Sequence, residues 1–100
     1  MFIKVAKIDE IPLGRCKPVE VNEKTIAIFN IGGEFYAIDD TCPHFAGSLS
    51  EGELEGYEVT CPIHWSRFDV RSGDILALPS HKGVARYNIQ IEGTDIMLDV

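Results

Sequence analysis

Cys42 and His44 stand in Cys-Pro-His, and Cys61 and His64 in Cys-Pro-Ile-His. Each pair joins one thiol to one imidazole, and the sixteen residues 45–60 separate the pairs. Cysteine and histidine occur three times each in 100 residues, so two matched pairs are not expected as noise. A soft thiolate and a borderline imidazole suit iron, zinc or copper, and not calcium or magnesium. Two buried cysteines alternating with two surface histidines would leave the flanking prolines and glycines unexplained.

Spacing weighs zinc against iron and sulfur. Zinc fingers usually pair like with like, Cys-x-x-Cys followed by His-x-x-x-His. Here each half-site pairs unlike ligands, Cys-x-His and then Cys-x-x-His. That mixture suits a two-iron cluster with cysteines on one iron and histidines on the other, clamped by two parallel loops. A structural zinc module, acting as a metal-dependent interaction domain, is the alternative from another class. Colour separates the two, since a cluster protein is reddish-brown and a zinc protein colourless.

The elements that must position these ligands read as short strands. Residues 2–8 partly alternate, and residues 17–21 form a second short candidate. Residues 25–31 and 34–38 flank Gly32-Gly33, which supplies the positive backbone dihedrals of a two-residue hairpin turn. Residues 57–60 lead into the second ligand pair. Residues 67–70 and 75–78 flank Arg71-Ser72-Gly73-Asp74, and residues 85–91 and 95–100 flank Glu92-Gly93-Thr94, as two further hairpins. No window of ten residues has a helical period; at most, residues 46–52 hold one short turn. Short strands at regular spacing predict an all-β antiparallel sandwich or barrel. The chain reads as one domain, 1–100, near the commonest domain size. A small cluster-binding lobe, about 41–82, is expected as an insertion into a β base formed by 1–40 and 83–100.

Composition narrows the class. The chain is 45% hydrophobic and 25% charged, as ordinary globular proteins are. No apolar run approaches the roughly 18 residues that cross a bilayer. The first residues lack the basic and apolar regions of a signal peptide. Three cysteines, an odd number, agree with a reducing compartment, so a cytoplasmic location is expected. A net charge of −7 argues against nucleic acid and for partners with basic docking surfaces. Glu51, Glu53, Glu55 and Glu58, between the ligand pairs, read either as such a docking patch or as a solvated acidic loop. No nucleotide fingerprint, substrate-pocket motif or nucleophile constellation is present. A carrier is expected, and not an enzyme, with no small-molecule substrate of its own.

With these residues in view, the chain resembles the Rieske family, whose pattern is Cys-x-His, some sixteen residues, then Cys-x-x-His. Residues 42–47, Cys-Pro-His-Phe-Ala-Gly, are similar to its first loop, and residues 61–69, Cys-Pro-Ile-His-Trp-Ser-Arg-Phe-Asp, to its second. Ser72-Gly73 and the segment around Pro79 resemble the family's stretch just beyond the second loop, and the flanking hairpins match a minimal Rieske fold. The resemblance implies a Rieske-like antiparallel β-sandwich. It implies one [2Fe–2S] cluster, with Cys42 and Cys61 on one iron and His44 and His64 on the other. It implies a soluble one-electron carrier that takes electrons from a reductase and passes them to a terminal oxygenase or similar redox enzyme. A small subunit of a nitrite-reductase-like complex is the alternative within the class.

Departures from the family pattern choose the subfamily. Relatives in cytochrome bc complexes join the two loops by a disulfide, but the matching positions here are Gly47 and Ile63. Those relatives also carry a membrane anchor, and large oxygenase subunits carry a catalytic iron domain; 100 residues are expected to hold neither. Replacing two thiolates by neutral imidazoles removes negative charge, so Rieske potentials span roughly −150 to +300 mV. In high-potential relatives a serine and a tyrosine of the second loop donate to the sulfurs. Ser66 holds the serine position and Phe68 the tyrosine position, so one donor is kept and one is lost. A potential in the lower half of the range is expected.

The resemblance also gives the neighbours of the ligands their roles. His44 and His64 leave one ring nitrogen near solvent, where partners dock. Phe45 and Trp65 either ring that edge or pack inward, and Trp65 stands where many members have glycine. Pro79 and His81 belong to a third loop, with His81 a surface residue. Cys16 reads as a small buried or half-exposed residue. Tyr36, Tyr57 and Tyr87 read as core or cross-strand residues within strand patterns.

Overall fold

A computed structural model describes residues 1–41, 48–62, 66–77 and 83–99. The strands are β1 (Phe2–Lys7), β2 (Cys16–Val21), β3 (Lys24–Ile31), β4 (Glu34–Asp39), β5 (Glu53–Glu55), β6 (Glu58–Thr60), β7 (Arg67–Asp69), β8 (Ile75–Ala77), β9 (Arg86–Tyr87), β10 (Ile89–Glu92) and β11 (Asp95–Asp99). Short 3₁₀ turns cover Ile8–Glu10 and Leu49–Glu51, the second inside the stretch where one helical turn was expected. The strands form three antiparallel sheets, ordered β1-β11-β10, β2-β3-β4-β9 and β5-β6-β7-β8. The all-β expectation is borne out.

β3 explains why three sheets stack. Its run Ile26-Ala27-Ile28-Phe29 is buried throughout, so both faces of the strand are covered. Ala27 and Phe29, with Ile38 of β4, join Leu49, Val59, Cys61, Phe68 and Val70 in one core. Ile26 and Ile28, with Ala37, join Ala6, Ile11, Ile96 and Leu98 in a second. The period of two along the strand thus feeds alternate residues to opposite cores. Each fully buried large side chain contributes roughly 1.5–3 kcal/mol relative to exposure.

Two turns of the middle sheet are built alike. Gly32 and Gly33 both have positive φ, +64° and +92°, and close the β3–β4 hairpin as the Gly-Gly pair predicts. Asn22 and Glu23 do the same for β2–β3, at φ +50° and +66°. The glutamate there adopts a backbone that favours glycine.

Three expectations need correction. Residues 85–91 are not one strand: the chain changes sheets at Asn88, so that β9 pairs with β4 and β10 with β11. Tyr87 is drawn to the middle sheet by its hydroxyl, which donates to Asp39 Oδ1 at 2.6 Å. Residues 53–55 are a strand and not a loop. Leu54 packs on the core, while Glu53 and Glu55 face solvent. Tyr57 lies in the turn after Gly56, at φ +60°, and is half-exposed. Leu78 and Val100, expected at strand ends, lie outside the described residues.

Candidate metal centre

Each expected ligand segment has its feet in the sheets. β4 leads through Asp40 to Thr41, which bridges to Ser48 across residues 42–47. Leu49 N–H donates to the Asp40 carbonyl at 2.7 Å, and Ser50 N–H to Asp40 Oδ1 at 2.7 Å. β6 leads directly to Cys61, whose N–H donates to the Ser66 carbonyl at 2.7 Å across residues 63–65. The second foot lies at one end of the four-stranded sheet β5-β6-β7-β8. Glu53, first in β5, pairs with Thr60, last in β6. Thr60 pairs with Arg67, first in β7, and Arg67 with Ala77, last in β8. Cys61, Ser66 and Ala77 therefore lie at that end, and Gly52, just before β5, lies against Thr60 there.

Among the expected site residues, Cys61 and Ser66 are described. Both have no exposed surface, and Cys61 shares its core with Leu49, Val59 and Phe68. Cys42, His44 and His64 lie outside the described residues, as do Phe45, Gly47, Ile63, Trp65, Pro79 and His81. Phe68, at the lost tyrosine position, is fully buried in the core that holds Cys61.

Three residues matter here that no motif marked. Asp40 is buried, and it holds Leu49 and Ser50 as described. Cys16 is half-buried, and its thiol donates to the Ser50 carbonyl at 3.1 Å. Burial, then the nearby charge of Asp40, pushes that thiol above its ordinary value, so it remains a donor. Gly52 lies against the Thr60 carbonyl so closely that a Cβ would overlap its oxygen. The one available signal was the pair Asp39-Asp40, which does not tell its members apart. Asp39 turns to the Tyr87 hydroxyl and the Ala85 N–H (3.3 Å), and Asp40 to Ser50. Burial, then the bond to Asp39, pushes Tyr87 up to about 12.

Away from the ligand segments, Tyr36 of β4 meets Tyr57 edge to face, with ring centroids 5.9 Å apart at 88°. The Arg71 guanidinium lies 4.2 Å above the Tyr57 ring and forks onto Asp69 at 3.0 and 2.9 Å. The side-chain bond to Arg71 holds the Asp69 carboxyl below its ordinary value. This cluster joins the middle sheet to the turns that lead into β6 and out of β7. Of the acidic residues between the ligand pairs, Glu58 faces Arg67 at 3.4 Å, an exposed pair of the kind that contributes about 0–1 kcal/mol.

Residues 1–88 match the model of the Rieske [2Fe-2S] domain family. The ferredoxin component of the naphthalene 1,2-dioxygenase/salicylate 5-hydroxylase systems of Ralstonia sp. is 43% identical over 97 residues, covering 97% of this chain and 93% of that one. The ferredoxin of carbazole 1,9a-dioxygenase from Nocardioides aromaticivorans superposes with a TM-score of 0.93 at 31% identity, over 98% of this chain and 96% of that one. A chain in the complex of reduced oxygenase and oxidized ferredoxin in carbazole 1,9a-dioxygenase superposes with a TM-score of 0.91 at 28% identity, over 97% of this chain and 91% of that one.

The chain belongs to the Rieske [2Fe-2S] domain family. Its cofactor is a Rieske-type [2Fe–2S] cluster, and it is an electron-transfer component, not a catalytic subunit. The zinc alternative falls with that membership. The donor chemistry fits: the fully buried Cys61 follows β6 and shares its core with Leu49, which is bonded to Asp40, two residues before Cys42. No helix among the described residues is long and apolar enough to cross a membrane.

Proposed function

We propose that this chain is a one-electron carrier that accepts electrons from a reductase and delivers them to the terminal oxygenase of a dioxygenase system. Cys42 and Cys61 hold one iron and His44 and His64 the other, and the buried Ser66 hydroxyl serves the sulfurs as a donor. When bound, the cluster supplies a one-electron couple. The protein's own residues fix the ligand segments: Asp40 and Ser48 at the first, the Cys61–Ser66 backbone bond at the second. Residues 1–100 act as one domain, with the ligands in a lobe of about 41–82 carried on 1–40 and 83–100. The exposed Glu53 and Glu55 and the net charge of −7 suit a basic docking face on the partner. The free thiol at Cys16, the cysteine that is not a proposed ligand, suits the reducing cytoplasm.

The observation that carries this reading is the family membership, in a chain whose relatives are ferredoxin components of dioxygenase systems and whose buried Cys61 follows β6 in a core shared with Leu49. Anaerobically prepared protein should contain two iron and two acid-labile sulfide per chain, with nitrogen hyperfine coupling in the reduced spectrum from bound imidazole. Cys42→Ala and Cys61→Ala should each abolish the cluster, because metal binding is coupled to local folding. Stoichiometric zinc without sulfide would overturn the reading, and either variant with a full native spectrum would overturn the ligand assignment. Reduced protein should be reoxidised on mixing with a dioxygenase terminal oxygenase, and failure with every such oxygenase tried would remove the proposed acceptor.

A further inference from the structure

Residues 48–52 touch the feet of both ligand segments at once. At one end, Ser48 bridges to Thr41, and Leu49 N–H binds the Asp40 carbonyl. Ser50 is held from two sides: its N–H donates to Asp40 Oδ1, and its carbonyl accepts the Cys16 thiol. Leu49 has no exposed surface and packs in the core that contains Cys61. At the other end, Gly52 N–H donates to the Leu49 carbonyl at 3.0 Å, and its α-carbon lies against Thr60. A methyl group there would overlap the Thr60 carbonyl oxygen and stand 2.9 Å from its carbonyl carbon. Gly52 has φ −82°, which any residue adopts, so the glycine serves the close approach and not the backbone conformation.

The two anchor points flank the expected ligands. Asp40 stands two residues before Cys42, and Thr60 one residue before Cys61. A residue spans at most about 3.6 Å of chain, so a displacement at either foot passes to the ligand with little slack. The buried Asp40 carboxylate also satisfies a backbone N–H that a truncated side chain would leave without its partner.

We infer that Asp40 and Gly52 are positioning residues that set the separation of the two ligand segments, and through it the geometry of the bound cluster. The inference rests on the assignment of Cys42 and Cys61 as ligands. Asp40 acts through its bond to Ser50 and Gly52 through its close approach to Thr60.

The test compares Asp40→Ala, Asp40→Asn and Gly52→Ala as cluster-containing proteins. Ile96→Val, in the core on the other face of the middle sheet, serves as a purely structural control. Asp40→Ala and Gly52→Ala should change the g-values of the reduced spectrum, shift the reduction potential and speed cluster loss roughly tenfold or more, as loss of an outer-shell partner does. Asp40→Asn keeps an oxygen for Ser50 N–H and should return the g-values and the loss rate to those of the wild type. Ile96→Val should lower the melting temperature and leave the g-values alone. The inference is overturned if Asp40→Ala and Gly52→Ala hold full iron with unchanged g-values, potential and loss rate. It is also overturned if Asp40→Asn behaves like Asp40→Ala. Should Gly52→Ala fail to fold, the Asp40 pair decides. Failure of the ligand assignment is a separate result, seen as a cluster that persists in Cys42→Ala or Cys61→Ala.

Discussion

Phe68→Tyr adds one hydroxyl to a side chain with no exposed surface, directly across from Val59 and in the same core as Cys61. The hydroxyl has two fates with different signatures. Left without a partner, it costs roughly 1–3 kcal/mol. At about 4–8 °C per kcal/mol for a domain of this size, the melting temperature then falls by roughly 5–20 °C. If it reaches the Cys61 sulfur, it donates to an anionic acceptor, a bond worth roughly 1.5–3 kcal/mol. The reduced centre carries one more negative charge, so the bond strengthens on reduction. With roughly half of the bond gained in that step, the difference is about 0.7–1.5 kcal/mol, or roughly 30–60 mV at about 59 mV per tenfold change. The expected result is a potential raised by several tens of millivolts with a melting temperature within a few degrees of wild type. Ser66→Ala, at the buried residue whose carbonyl anchors Cys61, should lower the potential by a similar amount. Protein-film voltammetry on the three proteins decides. Two variants within about 10 mV of wild type would show that second-segment side chains do not set the potential, whatever happens to stability.

Two further predictions concern the scaffold. Glu23→Gly relieves a left-handed residue at φ +66°, a conformation that costs roughly 1–2 kcal/mol, while the extra freedom of unfolded glycine offsets about 0.4–1 kcal/mol. The melting temperature should rise by a few degrees, and a fall would mean that Glu23 has a stabilising partner. Tyr87 keeps its proton in the fold up to about 12 against an ordinary value of 10.0, because burial and the bond to Asp39 favour the neutral phenol. The unfolded chain loses that proton first, so this stabilisation is intact below about pH 10 and is lost as pH rises through about 12. Tyr87→Phe should flatten the decline of melting temperature over that window, leaving the share due to Tyr36, also pushed up to about 12 through its bond to Glu34. A slope identical to wild type would refute the linkage.

What could be read from the chain alone divides along a physical line. The cluster class was legible because a metal demands particular atoms, and Cys and His supply a thiolate and an imidazole in the paired motifs. The β3–β4 hairpin was legible because its signals are local: a buried run, Gly32-Gly33, and a second apolar run. Cys16 was legible as half-buried, though not the bond its thiol makes. What stayed hidden depends on contacts between distant segments. A strand of three residues, Glu53-Leu54-Glu55, offers a single apolar side chain as its signal, and the neighbouring β6 makes it a strand. The change of sheet at Asn88 follows from where Tyr87 finds Asp39, 48 positions away in sequence. Asp39 and Asp40 are chemically identical neighbours, yet Asp39, last in β4, meets Tyr87 and Asp40, just beyond it, meets Ser50.

Gly52 makes the same point in steric form. Nothing local distinguishes it from the glycines of the turns, because its reason for being glycine is a carbonyl eight positions further on. The residues whose types a cluster dictates are therefore visible one at a time. The residues that hold one ligand segment against the other are visible only as a set, once β6 and residues 48–52 lie side by side. Substitution at the first kind should remove the cluster. Substitution at the second should leave a cluster present and altered, and that difference in outcome separates a ligand from a residue that places it.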